Sequence, residues 1–144
     1  MALSDLWRHL DADEMADFAR AWLAELRGEI PPAQTGVGQS VVMMNFIAPA
    51  DQQWEFILAA VAHAESDDEL GHIAAGPIEH LLGTQGDDYI DLAEREATID
   101  GKFARAMSGV WRHMMNDEVW ARVQAIKDRA SGVSGPPDAG EADA

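Results

Sequence analysis

The sequence contains no cysteine among its 144 residues. Disulfide bonds, thiolate metal sites and cysteine nucleophiles are therefore excluded. Basic residues are also scarce, with 10 Lys and Arg against 26 Asp and Glu, which gives a formal net charge of −16. Because nucleic acids and anionic membrane surfaces attract basic proteins, this charge argues against binding either of them through a charged patch.

Long hydrophobic runs are missing too. The longest apolar run, residues 56–62, has seven residues, whereas a membrane-spanning helix needs about 20. The opening residues, MALSDLWRHLDADEM, carry acids where a signal peptide carries bases, and they contain no apolar core. These absences predict a cytoplasmic protein that has no targeting segment.

What the sequence does contain is enough apolar residues for a core. The hydrophobic fraction is 47%, and a chain of this length typically forms one domain. We therefore expect a single helical domain over residues 1–130. Residues 131–144, SGVSGPPDAGEADA, have the composition of a disordered acidic tail.

The acids are concentrated in the middle of the chain. Residues 28–94 hold 12 acids and no Lys or Arg, whereas residues 95–130 hold five acids and seven bases. Most of the central charge cannot be neutralised locally, so we expect an exposed acidic face. Its predicted contributors are six acids that open two helices, and they form the candidate partner-binding set: Asp67, Asp68, Glu69, Asp87, Asp88 and Asp91.

Apolar residues recur at helical spacing along most of the chain, and capping patterns bound the segments. A short first helix is capped by Ser4 or Asp5, and Asp11 with Glu14 forms a capping box for the second. Val41 and Val42 would suit a strand, but no partner strand exists, so residues 40–48 are predicted to be helical. The other predicted helices span residues 12–27, 51–65, 67–74, 77–82, 87–97, 101–114 and 116–130.

These segments predict an all-α fold, a compact array of about six to eight short helices in orthogonal or HEAT-like packing. The helix at 51–65 is apolar almost all round, which is typical of a central, buried helix. Each of the five tryptophans lies on an apolar stripe and is expected in the core, although an exposed one would be a candidate partner anchor. They are Trp7, Trp22, Trp54, Trp111 and Trp120.

The run Ala74-Ala75-Gly76-Pro77 predicts a break between two short helices. The small residues allow backbones to approach closely, and Pro77 suits the first position of the next helix. On the structural interpretation Glu79, at the third position, accepts from free backbone N–H groups. On the functional alternative it is a buried acid that pairs with Arg105 or Arg112 at a binding cleft.

Metal and catalytic patterns are weak. Glu69 and His72 form one Glu-x-x-His motif, whereas a di-iron site needs two such motifs. A set of nearby residues could converge on one ion, but lacks the ligand spacing of known sites. That set is His63, Glu65, His72, Glu79 and His80. No serine lies in a nucleophile elbow, and the G-x-G at 36–38 lacks a third glycine. The sequence therefore predicts no metal site, no cofactor and no catalytic residue.

Residues 74–82, A-A-G-P-I-E-H-L-L, resemble a family of small bacterial helical proteins of unknown function, whose shared run is approximately A-A-G-P-[IL]-E-x-L-L. The W-E-F-I run at 54–57, the G-V-W run at 109–111 and residues 119–123 are similar to that family as well. Gly101 stands where the family has proline. The resemblance covers about residues 40–125 and implies an all-α domain with no established activity.

Charge and fold together favour a non-enzymatic interaction module that binds a protein with a basic surface, as immunity and antitoxin-like proteins do. One alternative is a nucleic-acid mimic, which needs a regular row of exposed acids. The other is a small-molecule or metal-dependent enzyme, which needs a deep pocket where His63, His72, Glu79 or His80 converge. The oligomeric state and the partner's identity stay open.

Overall fold

The computed structural model describes residues 7–31 and 36–132. Within these ranges the chain is helical and contains no strand, which confirms the all-α prediction. A short helical stretch at residues 7–8 precedes α1, and its predicted caps Ser4 and Asp5 lie outside the described residues, as do residues 133–144 of the predicted tail. The helices are α1 (Ala12–Leu26), α2 (Val37–Ile47), α3 (Ala50–His63), α4 (Asp67–Ile73), α5 (Glu79–Ile99), α6 (Gly101–Met107) and α7 (Asp117–Ser131).

A π-helical turn at Ala74–Ile78 joins α4 to α5 without interruption. With these three segments counted as one helix, the described residues form six helices, within the predicted range of six to eight. None of the described helices combines the length and the hydropathy that crossing a bilayer requires.

Side-chain caps fix where several helices begin. Asp11 and Glu14 exchange hydrogen bonds with each other's backbone at the start of α1, as the sequence predicts. Ser66 accepts from the Glu69 N–H at the start of α4, and Asn116 accepts from the Val119 N–H at the start of α7. Each cap satisfies a backbone donor that has no partner within its own helix.

Helix α3 lies at the centre of the fold, as its apolar composition predicts. Phe56 is fully buried and contacts Trp22 of α1, with ring centroids 5.5 Å apart. On the other side, Trp54 is partly buried against Phe103 of α6 and Tyr89 of α5, at centroid distances of 5.6 and 6.0 Å. Helix α3 thereby joins α1 to the C-terminal helices.

The predicted helix at 101–114 is wrong beyond Met107. Helix α6 ends there, and residues 108–116 form a loop. Val110 stays buried, but Trp111 is 68% exposed, so the expectation that all five tryptophans lie in the core is wrong for this one. Ser108 and Gly109 turn the chain before the predicted apolar stripe reaches Trp111.

The predicted break at Ala74–Pro77 is also wrong. Proline lacks the N–H of an α-helix and its ring crowds the carbonyl four residues earlier. The wider π turn relieves that crowding, so the helix continues through Pro77. The predicted gap between the helices at 77–82 and 87–97 contains a bend in α5 at Gln85, whose φ and ψ of −129° and 30° are not helical, although α5 continues on both sides of it.

Candidate functional site

The first group of predicted acids lies at the start of α4. Asp67 is exposed and forms an ion pair with Arg105 of α6, with 3.2 Å between Oδ1 and Nε. Asp68 is more open still, and His72 Nε2 lies 3.8 Å from its carboxylate. Only Asp68 of this pair therefore presents a carboxylate that no Lys or Arg within the described residues neutralises.

Glu69 does not belong to an exposed face, contrary to the prediction. It is 6% exposed and accepts from Arg27 Nε and Nη2 at 2.7 and 2.9 Å. It also accepts from the backbone N–H of Glu65 at 2.8 Å. The hydrogen bonds from Arg27 lower the pKa of Glu69 against the opposing effect of burial. The carboxylate thus ties the end of α1 to the start of α4.

The second group of acids follows the bend in α5. Asp87 accepts from Asn116 Nδ2 at 3.0 Å, whereas exposed Asp88 has no ion-pair partner in the described ranges. Asp91 pairs with Arg122 of α7. At 1.5 Å per residue, Asp67 and Asp87 lie about 30 Å apart along the helical path. The predicted six acids therefore form two separate groups.

Arg122 neutralises much of the acidic charge on the α7 side of α5. Besides Asp91, it binds both carboxylate oxygens of Glu94, at 2.9 and 2.5 Å. These bonds raise the pKa of Arg122 and lower the pKa of Glu94. The acidic charge that stays open on this part of α5 is therefore at Asp88.

A third acid, Asp51 of α3, lies close to that open charge, and the partner-binding prediction did not include it. Both Asp51 and Asp88 act electrostatically on Tyr89, whose pKa is raised by burial first and then by these two carboxylates. Asp51 is exposed. The sequence places Asp51 and Asp88 37 positions apart, so only the packing of α3 on α5 reveals that both act on the same tyrosine.

The motif residues lie in and beside the π turn. Ala74 and Pro77 are buried, Ala75 is exposed, and a Cβ at Gly76 would lie 3.7 Å from the Asn45 side chain of α2. Glu79 is the first residue of α5, but the π turn runs directly into it, so no free helix N-terminus lies there. Its Oε2 accepts from the Trp111 N–H at 3.0 Å, so the expected contact with its own helix is wrong.

The alternative partners of Glu79 are engaged elsewhere. Arg105 binds Asp67, and Arg112 binds Asp117 and the Met115 carbonyl. The buried acid–arginine pair considered for Glu79 therefore does not form. Instead, the Glu79 carboxylate holds the loop 108–116 against the first turn of α5.

The residues considered for a metal site do not converge. The His63 carbonyl accepts a hydrogen bond from Arg27, and Glu65 lies 3.6 Å from the same guanidinium. His72 lies near Asp68 instead. His80 packs between two aromatic rings. Across residues 7–31 and 36–132 there is no cluster of three or more His, Asp or Glu arranged to hold a metal ion.

A cleft of about 210 Å³ with both polar and apolar lining residues opens between α2, α3 and α5. Phe46 of α2 stands at its edge, 69% exposed, with its ring edge-on to His80 at a centroid distance of 4.8 Å. His80 in turn lies 5.4 Å from the ring of His113. Its Nδ1 lies 3.2 Å from the Gly76 carbonyl, which fixes the ring. Sequence reasoning missed this cleft because Phe46 lies within an apolar segment that reads as a buried helix.

A second cleft, of about 280 Å³ and polar in character, adjoins the first over the bend in α5. The two clefts share three residues, Thr84, Gln85 and Met114. The second is bounded by Asp87, Asp88 and Asn116. We call the two together the α5 groove. Its apolar end is named for the exposed side chains of Phe46 and Met114, and its acidic end for Asp88.

The structure thus defines an all-α domain with an open groove and a divided acidic surface. The chain belongs to a family of unknown function (DUF6869), whose model matches residues 36–131. This membership confirms the expected kinship with an uncharacterised helical family. No curated protein matches the chain, and no solved structure matches it.

Proposed function

We propose that the protein is a non-enzymatic interaction module that binds a protein with a basic surface, in the manner of immunity and antitoxin proteins. The supporting observation is the open acidic charge on α3 and α5. Asp51 and Asp88 are exposed close to the same tyrosine, and no Lys or Arg lies within ion-pair distance of either in the described residues. Carboxylates left open to water around one side chain attract a cationic partner.

The surrounding chain supports the same conclusion. Residues 28–94 carry no Lys or Arg, so the bases that reach this region come from other segments. Arg105 and Arg122 are already bound to Asp67 and to Glu94 with Asp91. A nucleic-acid mimic would need a regular row of free acids, and these two arginines interrupt it. Binding of a basic protein is therefore the better-supported role.

The test measures association with a partner recovered from the native host. Stopped flow measures the rate constant for association of that partner with each of three forms of this protein, at low and at high salt. These are the wild type, a variant with Asp51→Asn and Asp88→Asn, and a control with Asp13→Asn and Asp128→Asn. The control removes the same charge from exposed positions on α1 and α7.

We expect the first variant to associate about tenfold more slowly at low salt, with a weaker dependence on salt, because electrostatic steering acts on the rate of encounter. The control should match the wild type. Equal rates for all three proteins at low salt would refute the proposal and leave solubility as the role of the charge.

A further inference from the structure

The apolar end of the α5 groove exposes side chains that usually lie in a core. Phe46 and Met114 are 69% and 57% exposed, and Val42 and Met43 lie exposed one turn earlier on α2. Residues 30–50 carry no charge at all, so no charged side chain of α2 covers this surface. Contiguous exposed apolar residues of this kind mark a place where another molecule binds.

A buried amide at the same end lacks one hydrogen bond. Gln53 of α3 is 6% exposed and lines the cleft. Its Nε2 donates to the Ala48 carbonyl at 2.8 Å, but its Oε1 has no partner within the described residues. A buried acceptor left without a donor is costly, so this end of the groove holds an unsatisfied side chain among the described residues.

The acidic end of the groove favours a ligand with a positive charge. Asp88 is exposed there, and Asp87 is bound on one side only, by Asn116. No Lys or Arg is among the described residues that line either cleft. A cationic side chain in the second cleft would therefore meet carboxylates without a competing base.

Resting on the proposed function, we propose that the α5 groove binds an extended segment of the partner protein. An apolar side chain of that segment fills the cleft beside Phe46, and a nearby Lys or Arg meets Asp87 and Asp88. A second copy of this chain fits less well, because each copy carries a net charge of −16. The chain's own residues 131–144 are acidic and contain no base, so the acidic end repels them.

The probe is a set of short blocked peptides built of glycine and serine. Each contains one leucine, phenylalanine or tryptophan, separated by zero to four residues from one arginine. Binding is followed on the ¹⁵N-labelled full chain by two-dimensional NMR. The reporting signals are the Gln53 side-chain amide and the backbone amides of Thr84, Gln85 and Gly86, which line the groove.

We expect at least one spacing to shift these four signals together. Phe46→Ala and Asp88→Asn should each weaken that peptide at least fivefold. Ile99→Ala, which truncates a side chain that is 72% exposed at the far end of α5, and Asp128→Asn should leave its affinity unchanged. A peptide with glutamate in place of arginine should not bind.

Three results would overturn the groove proposal. One is an unmoved Gln53 signal with every peptide, and another is an affinity that Phe46→Ala leaves unchanged. The third is movement of the same signals on raising the protein concentration alone, which would assign the groove to a second copy. If the groove fails in these ways while Asp51→Asn with Asp88→Asn still slows association with the host partner, the proposed function stands without it. If association is also unchanged, both fail.

Discussion

Gly86 of α5 lies directly against Val119 of α7, and a Cβ built at Gly86 would be 3.0 Å from both methyl groups of that valine. Val119 is itself buried, so it has little room to move. The closest approach between α5 and α7 therefore depends on the absence of a side chain at position 86.

The substitution Gly86→Ala should destabilise the protein. Alanine favours a helix over glycine by about 1 kcal/mol, but overpacking of a tight contact costs roughly 1–3 kcal/mol. Gly71→Ala is the matched control, because nothing lies within 4 Å of the added carbon on α4. Urea unfolding should show a lower midpoint for the first variant and a higher one for the second. A midpoint for Gly86→Ala equal to that of Gly71→Ala would show that α7 moves aside.

A second pair of variants compares the same truncation at two phenylalanines. Phe56 is fully buried in α3, whereas Phe46 is largely exposed on α2. Phe56→Ala should lower the free energy of unfolding by about 3–5 kcal/mol, as core truncations of this kind do. Phe46→Ala should change it by less than about 0.5 kcal/mol, as is usual at the surface. Chemical denaturation checks both, and a large loss for Phe46→Ala would mean that its side chain supports the fold.

The Glu69 carboxylate should make stability depend on pH. Its pKa in the folded protein lies below the ordinary value of 4.5 because Arg27 binds the charged form. Its stabilising contribution is therefore complete above about pH 4.5 and declines as the pH falls through the lower, folded pKa. Glu69→Gln should reduce stability between pH 5 and pH 8, and its difference from the wild type should shrink in more acidic solution.

The control for Glu69 is Asp68→Asn, which removes a neighbouring carboxylate that is exposed. Its melting temperature should follow that of the wild type from pH 5 to pH 8. Should both variants lose equal stability over this range, general charge reduction would account for the effect and the Arg27 contact would not.

Glu79 provides a test of what holds the loop 108–116 in place. In Glu79→Ala the Trp111 N–H loses its acceptor, and its hydrogen exchange should be roughly tenfold faster, since a bond to a charged group contributes about 1.5 kcal/mol or more. Glu79→Gln retains an acceptor oxygen and should preserve most of the protection. Exchange that is unaffected by either change would place the restraint on the loop elsewhere.

The sequence predicts the helices whose limits are set by local side chains. Asp11, Ser66 and Asn116 each accept from a backbone N–H three residues later. The residues that predict these helix starts therefore stand close together in the sequence. The π turn is different, because small residues with a proline suit a helix break and a widened turn equally well. Ala74 of the π turn lies close to Gly109, 35 positions away, where an added Cβ would be 3.3 Å from the Ala74 Cβ. Local spacing does not reveal such a contact.

The candidate site is harder to predict for the same reason. The acidic character of residues 28–94 is visible in the composition, but which acids stay open depends on distant arginines. Glu69 is buried in an ion pair with Arg27, and Arg122 neutralises Asp91. Asp51 and Asp88 come to act on the same tyrosine only once α3 packs on α5. The exposure of Phe46 likewise depends on how α2 packs in the fold.

The π turn also sets the rotational phase of the long helix that contains it. An α-helix has 3.6 residues per turn, so one extra residue would rotate everything after it by about 100° and carry the buried side away from the core. The π turn absorbs that rotation, and Ile73 before it remains on the same side as Leu81 after it, both buried. The chain is arranged as though one residue had been inserted into a regular helix. Deleting exposed Ala75 together with Pro77→Ala would therefore give a regular α-helix from α4 to the bend at Gln85 that presents the same side chains to the core.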